Sequence, residues 1–256
     1  MGKVIEFLKR LTDFGIKLGL DKTLFFLKKF GNPHLKYPSV LIAGTNGKGS
    51  VARTLSEILY QAGYKVGLYT SPHLLKINER ICVNNKPISD RKLNFYIKEL
   101  KEIISKMPYH NYPTFFEALT VIGFLYFAER GIDILVAEVG MGGEFDATNV
   151  LPSFIEIITP ISFEHTQYLG RSLNEIALQK AGIIKSGSSV IVAKQKKICE
   201  EIIRQKVKEK KAKLYIYLKD FKGRRVSQSK QEQIFNFYGE EKYKNLKTKL
   251  LGKHQI

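Results

Sequence analysis

The chain has 256 residues, 44% of them apolar, and sets 42 Lys and Arg against 24 Asp and Glu for a formal charge of +18. Such a length can bury one large core. No run approaches the roughly 20 apolar residues of a membrane span, and residues 1–10 lack the layout of a secretory signal, so a cytoplasmic protein without membrane contact is expected.

Cys82 and Cys199 stand far apart with no CxxC or Cys/His cluster, which argues against a disulfide framework or a structural zinc site. The positive balance favours polyanions in general. Much of it falls late, at Lys206, Lys208, Lys210, Lys211 and Lys213 and again at Lys222, Arg224 and Arg225. We read these as a solvated helix face and a loop. Aromatic residues are not interleaved as a base-stacking platform needs, so no nucleic-acid partner is expected.

Along the chain, short β-branched runs at 40–43, 65–69, 132–139, 154–161 and 190–193 alternate with helical patterns at 51–62, 91–106, 115–130, 173–181 and 198–211. Strands of this kind are covered on both faces, and strand-helix alternation implies an α/β, doubly wound, mostly parallel sheet. Thr114 with Glu117 and Ser172 with Glu175 fit capping boxes, and Gly63, Gly131 and Gly182 sit where helix-ending glycines belong. From Lys213 onward, a small antiparallel region is expected, with strands at 214–218, 234–238 and 246–250.

The apolar strand 39–43 runs into Gly44, Thr45, Asn46, Gly47, Lys48, Gly49 and Ser50, and a helical pattern follows at once. Glycines in such a place let backbone N–H groups turn toward phosphate oxygens, and the helix adds its positive end. Lys48 is expected to reach the β- and γ-phosphates and Ser50 to ligate Mg²⁺. The loop departs from GxxxxGK[ST], because Ile42 occupies the first glycine position and Gly49 separates Lys48 from Ser50.

Glu138 closes the 132–139 run ahead of Gly140, Met141, Gly142, Gly143, Glu144, Phe145, Asp146, Ala147, Thr148 and Asn149. A carboxylate at the carboxyl end of a parallel strand can hold a metal beside a nucleotide, or simply finish the strand. His165 after the next run fits a loop residue as well as a ligand. Lys180, in the last turn of a helix, fits the dipole as well as chemistry.

The stretch GTNGKGS, with Gly31-Asn32-Pro33 before it and Thr70-Ser71-Pro72-His73-Leu74 and Asn78-Glu79-Arg80-Ile81 after it, resembles the folylpolyglutamate synthase and dihydrofolate synthase family of the Mur ligase superfamily. The motifs occur in the family's order from about Ile5 to the last residue. The resemblance implies an ATP-dependent ligase joining L-glutamate to folate, folylpolyglutamate or dihydropteroate through an acyl phosphate. It further implies two Mg²⁺ sites, with Ser71 and Glu138 near the first and His165 near the second. Lys180 is implied to be carbamylated and to ligate metal. Lys48, His165 and Lys180 thus become the candidate catalytic residues, acting on small-molecule substrates in a monomer.

A phosphotransferase or a non-catalytic nucleotide-binding module remains the reading from another class. The 72–80 segment is expected to cover the site as a mobile loop, and Glu117 to act as a cap. Glu144 stands where the family usually has Arg, and Glu164 where it usually has Asp. Residues 250–256 resemble the start of the family's HQxxNAxxA motif. Residues 1–256 are therefore expected to form its N-terminal ATP-binding domain, incomplete at its end and without the C-terminal glutamate-ligase domain.

Overall fold

The computed structural model describes residues 6–8, 10–15, 19–252 and 255. The resemblance noted at Ile5, Lys253, His254 and Ile256 lies outside them. Eight strands form the main sheet in the order β4-β3-β2-β5-β1-β6-β7-β8. These are β1 (Ser39–Ala43), β2 (Val66–Tyr69), β3 (Ile81–Val83), β4 (Lys86–Pro87), β5 (Ile134–Glu138), β6 (Ile155–Ile158), β7 (Ser189–Val192) and β8 (Lys213–Ile216). From β2 to β8 across the sheet all pairings are parallel, while β3 and β4 are antiparallel. The central strands are buried along their whole length, as the unbroken apolar runs require.

Side-chain alternation divides the interior between the two faces. Val40, Ile42 and Val136 meet the Lys48–Gln61 helix through Ala52, with Val51, Leu55 and Leu59 at its margin. Leu41, Ala43, Leu135 and Ala137 point into the larger core, shared with the Asp90–Ile104, Phe115–Arg130, Leu173–Ala181 and Lys197–Glu209 helices. Both capping boxes form: Thr114 N–H donates to Glu117 and Glu117 N–H to Thr114 Oγ1, and Ser172 and Glu175 exchange the same pair. Gly63 and Gly131 have left-handed backbones, as helix ends favour. Gly182 does not. Its φ is −62°, and a glycine is needed there because a Cβ would meet that of Glu144 at 2.4 Å.

Two expectations are corrected. The 214–218 strand is not part of an antiparallel region; it is β8, parallel to β7, because the Lys197–Glu209 helix carries the chain back across the sheet before it starts. Lys222, Arg224 and Arg225 lie in β9 (Lys222–Gln228) and not in a loop. With β10 (Gln233–Tyr238) and β11 (Lys242–Thr248), β9 makes a three-stranded antiparallel sheet. The 72–80 segment leads into the β3-β4 hairpin, whose turn residues Asn84 and Asn85 both have positive φ, as a type I′ turn demands.

Candidate functional site

β1 ends in Ala43, and Gly44 turns the chain with φ +135°. A Cβ there would lie 1.9 Å from Thr159 Oγ1, so only glycine passes. Thr45 N–H and Asn46 N–H donate to Pro160 O at 3.0 and 3.4 Å, and Thr45 Oγ1 donates to Ser162 O at 3.1 Å. These bonds tie the loop to the segment that follows β6. Gly47, with φ +89°, precedes the Lys48–Gln61 helix, whose first turn carries Lys48, Gly49 and the exposed Ser50. Lys48 Nζ folds back on the loop, donating to Gly44 O at 2.9 Å and Thr45 O at 3.2 Å.

Glu138 ends β5, the neighbour of β1. Its carboxylate is 5% exposed and lies against the first helical turn, 3.5 Å from where a Gly49 Cβ would stand. Ser71, just past β2, donates its N–H to Glu138 Oε2 at 3.0 Å. Burial pushes the Glu138 carboxyl above its ordinary range, opposed by the Ser71 N–H and the charge of Lys48. Among the described residues Glu138 makes no ion pair. A buried carboxylate is a hard oxygen donor, and it suits Mg²⁺, which is commonly held by one or two carboxylates with phosphates and water. No group of three His, Cys, Asp or Glu side chains converges as an all-protein metal site among the described residues.

Lys180 reaches the other end of the loop. It is 1% exposed, and its Nζ donates to Gly44 O at 2.7 Å and to the half-buried Glu164 Oε1, completing a partly buried ion pair. Burial lowers its pKa, Glu164 opposes that, and the nearby charge of Lys48 adds to the lowering. Glu164 thus partners Lys180, a role that sequence spacing alone did not reveal. Its neighbour His165 adopts a left-handed backbone with φ +44° and is exposed.

His165 stands at the edge of a cavity of about 430 Å³ together with Ser71, Arg80, Phe115, Phe116, Glu117, Met141 and Asp146. The walls are aromatic and apolar with two buried carboxylates, Glu117 and Asp146, each 5% exposed. Asp146 accepts from Met141 N–H at 2.9 Å, Thr148 N–H at 3.0 Å and Thr148 Oγ1 at 2.5 Å, which fixes the Asp-Ala-Thr-Asn turn; burial raises its pKa against these bonds. Arg80 donates from Nε to His73 Nδ1 at 2.8 Å and stacks over Phe115. Glu79 accepts the N–H groups of Leu74, Leu75 and Lys76, so the 72–80 segment is internally bonded above this cavity's rim. Glu117 caps its helix and also lines this cavity. The capping-box spacing accounts for it completely, which is why its place in the cavity was not legible.

The Mur ligase middle domain matches residues 42–256. The dihydrofolate synthase/folylpolyglutamate synthase of Bacillus subtilis is 38% identical over 250 residues, 94% of this chain and 57% of that protein. The dihydrofolate synthetase of Saccharomyces cerevisiae is 42% identical over 177 residues, 67% of this chain and 40% of that protein. The crystal structure of the Thermotoga maritima folylpolyglutamate synthase superposes with a TM-score of 0.91 at 36% identity, covering 99% of this chain and 59% of that one. An FPGS-AMPPCP-folate complex gives the same TM-score at 28% identity, over 99% of this chain and 63% of that one. The chain thus spans less than two thirds of the length of these relatives. Fold, motif order and matched length agree: the chain belongs to the folylpolyglutamate synthase and dihydrofolate synthase family of the Mur ligases.

Proposed function

We propose that this chain is the N-terminal ATP-binding part of a ligase that joins L-glutamate to a folate through an acyl phosphate. The observation that carries the reading is the strand-glycine loop-helix unit with Lys48 at its turn and Glu138 pressed against the same turn. Residues 44–50 cradle the triphosphate with backbone N–H groups, and Lys48 leaves its loop carbonyls for the phosphates. Glu138, Ser50 and Ser71 would hold one Mg²⁺, and His165 and Lys180 would serve the second. When bound, the metal neutralises charge between the phosphates and the attacking carboxylate.

The cavity supports the acceptor's identity. Aromatic walls fit a flat ring system, and buried carboxylates at Glu117 and Asp146 fit its amino groups. The folate carboxylate then attacks the γ-phosphorus, ADP leaves, and the amine of L-glutamate displaces phosphate to form the amide. Carbamylation of Lys180 is part of the proposal: burial favours the neutral amine that adds to CO₂, forming an N–C bond with loss of a proton, while Glu164 favours the ammonium. An unmodified Lys180 in protein crystallised with Mg²⁺, nucleotide and bicarbonate contradicts that step.

The glutamate site and the closing surface over the phosphates we assign to a C-terminal domain, such as the extra length of the relatives could supply. The test is ADP release with ATP, Mg²⁺ and L-glutamate, comparing dihydropteroate with tetrahydrofolate, on the chain joined to a relative's C-terminal portion. Glutamate-dependent release with tetrahydrofolate supports folylpolyglutamate synthase, and release with dihydropteroate supports dihydrofolate synthase or a bifunctional enzyme. Release that ignores both acceptors leaves a nucleotide hydrolase and contradicts the ligase.

A further inference from the structure

Beside the site, along the end of the helix that carries Lys180, lies a chain of buried and part-buried polar bonds. Lys185 follows the Leu173–Ala181 helix, and its Nζ donates to both oxygens of Asn149, to the main-chain O at 2.8 Å and to Oδ1 at 2.6 Å. The Asn149 amide turns its Nδ2 the other way, donating to Glu144 O at 2.9 Å and Gly182 O at 3.3 Å. Asn149 therefore bridges the glycine-rich loop after Glu138 to the end of the helix that carries Lys180. The two are in direct contact: Glu144 N–H donates to Gln179 O at 2.8 Å, and a Cβ on Gly143 would lie 2.6 Å from that same oxygen.

The far end of the chain is anchored in the sheet. Ser188 Oγ bonds to Lys185 O at 2.9 Å and to the Glu156 carboxylate, and Ser153 Oγ donates to Glu156 at 2.7 Å. Glu156 is completely buried, and its charge opposes the burial that lowers the Lys185 pKa. A buried carboxylate and a partly buried ammonium, linked through hydroxyls and an amide, are costly to assemble unless each bond is made. A mere turn between helix and strand needs none of them.

From this connectivity we propose that Lys185 and Asn149 are positioning residues: they clamp the Gly140–Glu144 loop onto the Lys180 helix and so set Glu138 and Lys180 at fixed separation across the glycine loop. The inference rests on the reading that these two residues serve metal-bound nucleotide. Groups that orient metal ligands from behind typically cost about 10- to 100-fold in metal affinity when removed.

Two variants of the 256-residue chain separate positioning from bulk stability. Lys185→Met removes the ammonium, and Asn149→Asp keeps both oxygens for Lys185 while deleting the donor to Glu144 and Gly182. Both are compared with the wild type at low temperature, where thermal melts show them folded. Two readouts are taken: amide hydrogen exchange at Glu144, and the Mg²⁺ concentration needed for half-maximal binding of a non-hydrolysable ATP analogue. The clamp predicts faster exchange at Glu144 and a 10- to 100-fold higher Mg²⁺ requirement in each. A lowered melting temperature with both readouts at wild-type values overturns it. Failure of the wild type itself to bind nucleotide overturns the ligase reading instead, and the exchange rates alone then decide whether the clamp exists.

Discussion

Lys185 is the residue whose ionisation reports most directly on its surroundings. Burial brings its pKa down to about 8 from an ordinary 10.5. Between those values the unfolded chain binds more protons than the folded one, so the stability contributed by this group rises with pH across that window. Urea melts at pH 7.5 and pH 10 should show the wild type gaining on Lys185→Met as pH rises; parallel shifts in the two proteins contradict the assignment. Glu138 is a different test. Glu138→Gln keeps the shape and the Ser71 contact but removes the charge, and should raise the Mg²⁺ requirement for nucleotide binding by at least about tenfold with little change in melting temperature. Glu138 was legible as a carboxylate closing an apolar strand, whereas Lys180 fitted the helix dipole equally well and drew its role from the family resemblance. The bonds of Glu164, Asp146 and Lys185 were not legible, since each of these three sits in an irregular segment without periodicity and its partner lies between 2 and 36 residues away.

At the scale of elements, the glycine loop separates two costs that sequence treats alike. Gly47 needs a positive φ but has no neighbour within 4 Å of a Cβ, whereas Gly44 needs a positive φ and has Thr159 in the way. Gly47→Ala should therefore cost about 1–2 kcal/mol, the backbone penalty alone. Gly44→Ala adds a steric clash to that penalty and should destabilise by more, with loss of nucleotide binding. Equal melting temperatures for the two variants contradict this account of the turn. Strands, helices and caps were legible where a period or a capping spacing was present, as in 115–130 and 173–181. The β3-β4 hairpin was missed because its strands are two and three residues long, and β9 because a basic run such as Lys222 to Arg225 carries no apolar alternation. Strand β8 was given the wrong partner, since pairing direction is set by the preceding helix and not by the strand's own residues.

For the molecule as a whole, charge and topology act together. The parallel sheet brings the carboxyl ends of β1, β2, β5 and β6 to one edge, which is where ligands bind in open α/β sheets, and the surplus of +18 over the whole chain favours anionic ligands in general. Association with nucleotide should accordingly slow as ionic strength rises, because exposed charges are screened beyond about 10 Å at 0.1 M salt. The fold's layering follows from composition and periodicity; the site does not, because it is assembled from four separate loops. The most direct test of the central claim is calorimetric titration of the chain with a non-hydrolysable ATP analogue and Mg²⁺, comparing the wild type with Lys48→Ala. The phosphate-binding role of residues 44–50 predicts saturable binding at one site, weakened roughly 10- to 150-fold by the loss of a charged hydrogen-bond donor worth about 1.5–3 kcal/mol. Equal affinity of the two proteins, or no binding by either, contradicts it.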